Sequence, residues 1–125
     1  MQGILVIEDD KFFRDLVSKK LEKEGYEVWA ASGSGEAFKL LEEKKPSLII
    51  LDLILPGLDG FEILSMIKKD KKTSAIPVII LSNLGQEEDI AKAKFLGVVD
   101  FMIKVNFTPG EIVEKVKKTL KNHYL

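Results

Sequence analysis

The sequence predicts an α/β fold, a five-stranded parallel sheet doubly wound with helices on both faces. Two patterns carry that prediction. Three short apolar runs, Ile4-Leu5-Val6-Ile7, Leu48-Ile49-Ile50-Leu51 and Pro77-Val78-Ile79-Ile80-Leu81, are continuous rather than alternating, as in parallel strands covered on both faces. Helical periodicity fills the segments between them, and such alternation implies parallel strands with right-handed crossovers. At 125 residues the chain has the length of one domain, enough to bury roughly two-thirds of its unfolded surface.

Each element has its own signal. The first strand is the run from Ile4 to Ile7. Phe13, Leu16, Val17 and Leu21 then form one helical stripe that Gly25 ends. Glu27-Val28-Trp29-Ala30-Ala31 is a weaker strand candidate, and Ala37, Leu40 and Leu41 mark a second helix stopped before Pro46. After the strand at Leu48 to Leu51, a third helix opens at Asp59 with Glu62 three residues on, and buries Ile63, Leu64 and Ile67. The fourth helix follows the Pro77 to Leu81 strand and begins near Gln86, where Glu87, Glu88 and Asp89 suit the positive end of its dipole. A short strand at Phe101-Met102-Ile103 precedes the fifth helix. There Thr108 caps, Pro109 takes the first helical position, Glu111 completes the capping box, and Ile112, Val113, Val116 and Leu120 face inward. The strand order 2-1-3-4-5 is the common solution for folds of this size and is taken from them; the residues themselves do not determine it.

Composition narrows the function. The 19 basic residues nearly cancel the 20 acidic ones, for a net charge of -1, which argues against direct nucleic-acid binding. Without cysteine there is no disulfide framework, thiolate metal site or thiol nucleophile. No apolar run reaches the ~20 residues of a membrane-spanning helix, and the start, Met1-Gln2-Gly3-Ile4, does not resemble a signal peptide. A cytoplasmic location without membrane insertion is expected.

In a sheet of this order the ligand belongs beyond the carboxyl ends of strands 1 and 3, where the winding reverses. Strand 1 runs into Glu8-Asp9-Asp10 and strand 3 into Asp52, while strands 4 and 5 run into Ser82 and Lys104. Four carboxylates, a hydroxyl and an ammonium are thus expected on one edge. Carboxylates that close repel unless a cation joins them, and magnesium takes oxygen ligands of this kind, often together with a phosphate. Ser82 and Lys104 suit phosphoryl oxygens, and Asp52 suits the nucleophile. Taken singly, each group has a plainer reading: Asp10 a helix cap, Ser82 a turn residue, Lys104 a surface lysine. Their joint placement is what points to chemistry. Trp29 reads as half-buried packing, His123 as a solvated tail residue, and Lys68-Lys69 and Lys71-Lys72 as a helix end entering a solvated loop.

From about Ile4 to Leu120 the sequence resembles a receiver domain of two-component response regulators, which have a flavodoxin-like (βα)5 fold. The resemblance rests on Ile4-Leu5-Val6-Ile7-Glu8-Asp9-Asp10, on residues 51–60 (Leu-Asp-Leu-Ile-Leu-Pro-Gly-Leu-Asp-Gly), on Ile76-Pro77-Val78-Ile79-Ile80-Leu81-Ser82 and on Asp100-Phe101-Met102-Ile103-Lys104, in order and at the family's spacing. It implies that Asp52 is the phosphoacceptor. It also implies that magnesium is bound by Asp9, Asp52 and the backbone carbonyl of Ile54, with Glu8 acting through water. Ser82 and Lys104 would contact the phosphoryl group, and Ser82 with Phe101 would form the switch. The implied donor is a histidine kinase or phosphotransfer protein, and the implied output is the face made by helix 4, strand 5 and helix 5, presented to a protein partner. Val105 stands where the family often has a cis proline, so a trans bond and a reshaped loop through Asn106 and Phe107 are expected. Phe101 lacks the hydroxyl of the common tyrosine, and Asn83 stands where a smaller residue is usual.

The first reading is therefore a phosphoaspartate switch. It is a protein-binding regulator rather than an enzyme, beyond catalysing its own phosphorylation and slow dephosphorylation. The alternative is a degenerate receiver that binds its partner whatever its phosphorylation state, against which Glu8, Asp9, Asp52, Ser82 and Lys104 all argue. An aspartate-nucleophile phosphatase would need a second Asp where Ile54 stands. An FMN carrier would need a polar phosphate loop where Glu8-Asp9-Asp10 repels phosphate. The expected organisation is a single domain over residues 1–125 with its core at about 4–120, either acting alone or forming a piece of a longer regulator. It is expected as a monomer or a weak phosphorylation-dependent homodimer.

Overall fold

A computed structural model describes residues 2–124. Five parallel strands, β1 (Gly3–Ile7), β2 (Glu27–Ala31), β3 (Leu48–Leu51), β4 (Val78–Ser82) and β5 (Asp100–Ile103), form one sheet in the order β2-β1-β3-β4-β5. The helices α1 (Lys11–Lys23), α2 (Ser34–Lys44), α3 (Gly60–Lys69), α4 (Glu87–Phe95) and α5 (Pro109–Tyr124) alternate with them, and a 3-10 turn, Lys104–Asn106, follows β5. The predicted fold class and strand order are both found.

The strand periodicity divides the core into two layers. On one face Leu5, Ile7, Ile49, Leu51, Val78 and Ile80 pack against α2, α3 and α4 through Ala37, Leu41, Ile63, Leu64, Ile67 and Ala93. On the other face Ile4, Val6, Leu48, Ile50, Ile79 and Leu81 meet α1 and α5 through Val17, Leu21, Ile112, Val113, Val116 and Leu120. Residues alternate between the layers, yet every position in β1, β3 and β4 is buried. Hence their unbroken apolar runs. The edge strands β2 and β5 are only partly covered, and their sequences are weaker for that reason.

Local chemistry sets the boundaries. Thr108 N–H donates to Glu111 Oε1 at 2.8 Å and Glu111 N–H returns to Thr108 Oγ1 at 3.2 Å, the reciprocal box expected at the start of α5. Asp59 accepts the Glu62 N–H at 3.0 Å to open α3, and Gly25, at φ 95°, follows the end of α1. Trp29 is half-buried as expected, and its ring lies against Gly3, where a Cβ would overlap it. His123 is exposed. Lys68 corrects the sequence reading. It is not simply a solvated helix-end cation: its ammonium donates to the carbonyls of Ser74 (3.3 Å) and Ile76 (2.9 Å), tying the loop after α3, and burial lowers its pKa.

Candidate functional site

The carboxyl ends of β1, β3, β4 and β5 bring the expected groups together. Asp52 follows β3 directly and is 4% exposed. One of its oxygens, Oδ1, accepts the Ser82 hydroxyl at 2.6 Å and the Ile54 N–H at 3.0 Å. The other, Oδ2, accepts the Lys104 ammonium at 2.8 Å. Lys104 also pairs with Glu8 Oε1. Ser82 is the last residue of β4 and fully buried, and its oxygen accepts the Leu84 N–H at 3.3 Å. Lys104 opens the 3-10 turn just beyond β5.

Glu8, Asp9 and Asp52 each offer a carboxylate oxygen, and these atoms lie within 4.8 Å of one another. Glu8 is buried and Asp9 faces solvent. Burial first, then the charge of Asp52, pushes the Glu8 carboxyl up from 4.5 to about 7, against the pull of Lys104 and the Asp10 N–H. Burial works against the Lys104 ammonium too, but its bonds to Asp52 and Glu8 outweigh it and raise the lysine above its ordinary value. With all acids ionised, three carboxylates against one ammonium leave a formal charge of −2. A hard divalent cation matches both that charge and the all-oxygen donor set.

Asp10 does not join this cluster, so three carboxylates converge rather than four. Its side chain accepts the N–H groups of Phe12 (3.0 Å) and Phe13 (3.3 Å) and caps α1. An N-cap carboxylate must turn toward the helix start, which takes it away from Asp52. Phe101 is half-buried against the α2–α4 layer. Val105 is 80% exposed on the 3-10 turn, and no cis peptide occurs among the described residues. The trans bond expected from the missing proline is present, and residues Lys104–Asn106 form the 3-10 turn.

Two residues of the site were not anticipated. Arg14 donates through Nη1 to the carbonyls of Glu8 (2.8 Å) and Asp9 (3.3 Å), bracing the turn that carries both acids. Its signal was a cation near the start of a helix, where the dipole disfavours one. Phe13 lies beneath the Lys104 ammonium, 4.7 Å from the ring centroid. Helical periodicity marks it only as part of an apolar stripe.

A doubly wound parallel sheet with an acidic trio, a hydroxyl and an ammonium at its switch point defines a regulatory domain of the receiver class. The chain belongs to the response regulator receiver domain family, whose model matches residues 4–117. It is 34% identical over 118 residues to the phosphate regulon transcriptional regulatory protein PhoB of Pseudomonas aeruginosa; the match covers 94% of this chain and 51% of that protein, so the chain spans about half of that relative's length. Among solved structures it resembles a CheY-like response regulator receiver domain protein from Methanospirillum hungatei JF-1 (TM-score 0.91, 27% identity, 98% of this chain and 96% of that one). It also resembles the Mn(2+)-bound form of response regulator Rcp1 (TM-score 0.82, 28% identity, 94% and 93%). Receiver domains are regulatory elements of two-component systems. Among the described residues no helix is long and apolar enough to cross a membrane.

Proposed function

We propose that Asp52 accepts a phosphoryl group from the phosphohistidine of a histidine kinase or phosphotransfer protein, with magnesium required. The observation that carries this reading is the division of labour on one buried carboxylate: Ser82 holds Oδ1, Lys104 holds Oδ2, and Glu8 and Asp9 stand beside it. A carboxylate oxygen of Asp52 forms a bond to phosphorus as the phosphorus–nitrogen bond of the donor breaks. The imidazole leaves with the electron pair, and the product is an acyl phosphate. Ser82 and Lys104 are then placed to donate to phosphoryl oxygens, which carry charge that needs donors already in position.

Glu8, Asp9, Asp52 and the Ile54 carbonyl are the residues that would hold the magnesium ion, Glu8 through water. Bound there, the ion supplies charge neutralisation for the transferring group. Ser82 moving toward the phosphoryl group, with Phe101 following, would pass the change to the face of α4, β5 and α5, where a protein partner binds. Residues 1–125 would act as one such unit.

The test is incubation with acetyl phosphate and magnesium, read by intact mass. One added phosphoryl group is expected, lost with chelator and lost in Asp52→Asn. Equal labelling of Asp52→Asn refutes the assignment. Partner binding that is indifferent to label would instead favour the phosphorylation-independent module.

A further inference from the structure

Lys104 poses a mechanical problem. Its side chain is long, it rises from a short turn with no buried residue, and its next two neighbours, Val105 and Asn106, are exposed. Nothing in that turn aims the ammonium. Its two acidic partners are the groups expected to change partners when a cation and a phosphoryl group arrive. A contact indifferent to that exchange is aromatic. Phe13 packs with the α1–α5 layer, alongside Phe107, so the protein core holds its ring in place. The ring lies 4.7 Å from the ammonium, inside the ~6 Å range over which an aromatic face attracts a cation. The Lys104 side chain is only 13% exposed, and such an attraction strengthens as water is excluded.

We propose that Phe13 is a positioning residue for Lys104: its ring keeps the ammonium over the acceptor while the ammonium trades carboxylates for phosphoryl oxygen. This rests on the acceptor role of Asp52 and adds a group outside the acid, hydroxyl and ammonium set. An aliphatic side chain of similar bulk fills the same space but offers no negative face, so packing and positioning are separable.

The experiment compares initial rates of labelling by acetyl phosphate at saturating magnesium. Phe13→Leu is expected to slow labelling about three- to tenfold, equivalent to about 0.6–1.4 kcal/mol. Phe13→Tyr should stay within about twofold of the parent, since it keeps the negative ring face. Pentafluorophenylalanine at position 13 keeps the ring shape but reverses its face charge, and should be as slow as leucine. Parent-like rates for either the leucine or the fluorinated variant overturn the proposal. A parent protein that takes no label defeats the acceptor reading instead, and the contact is then decided by urea unfolding. In a cycle of Phe13→Leu, Lys104→Met and the double variant, a coupling of about threefold in the folding equilibrium is expected. Strict additivity overturns the contact itself.

Discussion

Glu8→Gln should make the metal-free protein more stable at pH 8 and leave it unchanged at pH 4. The Glu8 carboxyl is buried beside Asp52 and titrates at about 7 instead of 4.5. A group whose folded pKa lies above its unfolded one binds more protons when folded. Its stabilising contribution is therefore complete below pH 4.5 and disappears as pH rises through about 7. At about 1.4 kcal/mol per pH unit, that interval corresponds to roughly 3 kcal/mol. Glutamine keeps the shape and an acceptor for Lys104 but never ionises, so it mimics the protonated acid at every pH. The assay is urea denaturation of parent and variant at pH 4, 5.5 and 8 without magnesium. Their difference should grow from near zero to about 3 kcal/mol in favour of the variant. Saturating magnesium at pH 8 should reverse the order, because the variant has lost an acid beside the cation site. A difference that is flat with pH, or a parent more stable than the variant at pH 8 without metal, refutes the reasoning.

Other outcomes follow from the same geometry. Millimolar magnesium should raise the Tm by several degrees, since a ligand at a hundredfold over its Kd contributes about 2.7 kcal/mol; Asp9→Asn should remove most of the rise, and a parent Tm that ignores magnesium counts against the site. Ile54 is 53% exposed beside Asp52 and Leu84 is half-buried near Ser82, and neither side chain can orient a water. Ile54→Asn with Leu84→Glu should therefore speed loss of phosphate after donor removal, each tenfold gain being about 1.4 kcal/mol of barrier; decay no faster than in the parent removes that explanation. A Cβ at Gly60 would overlap the Leu53 backbone and stand 2.6 Å from the Asp52 carbonyl oxygen. Gly60→Ala should consequently cost about 1–3 kcal/mol in urea melts and slow labelling, and a neutral substitution would show that the turn after Asp52 yields freely.

How much of this was legible in the chain depends on the distance over which each feature is written. β1, β3 and β4 were plain because burial on both faces forces an unbroken apolar run, and α5 because its capping box lies within four residues. Glu8, Asp9, Asp52, Ser82 and Lys104 could be placed along one edge of the sheet because strand ends can be located once the strands are. Asp10 was counted among the four acids at the sheet edge, while its plainer reading as a helix cap is the one found, since the backbone turn decides which acid faces the helix and which the site. Phe13 under Lys104, and Lys68 on the Ser74 and Ile76 carbonyls, depend on where a side chain lands after folding. The strand order came from known folds of this size, because periodicity says which segments are strands and not which are neighbours.

The seating of Trp29 has an experimental consequence. It is the only tryptophan in the chain, on edge strand β2, paired in register with Leu5 and with its ring over Gly3. The ring thus lies toward the amino ends of the strands, while Glu8, Asp52 and Ser82 stand at their carboxyl ends. Indole emission will follow the melting of the β1–β2 edge faithfully. For the acidic site it is a spectator placed toward the far end of β1. Any change in its emission when phosphodonor is added would have to travel the length of β1, and would report rearrangement of the sheet itself rather than occupancy of Asp52.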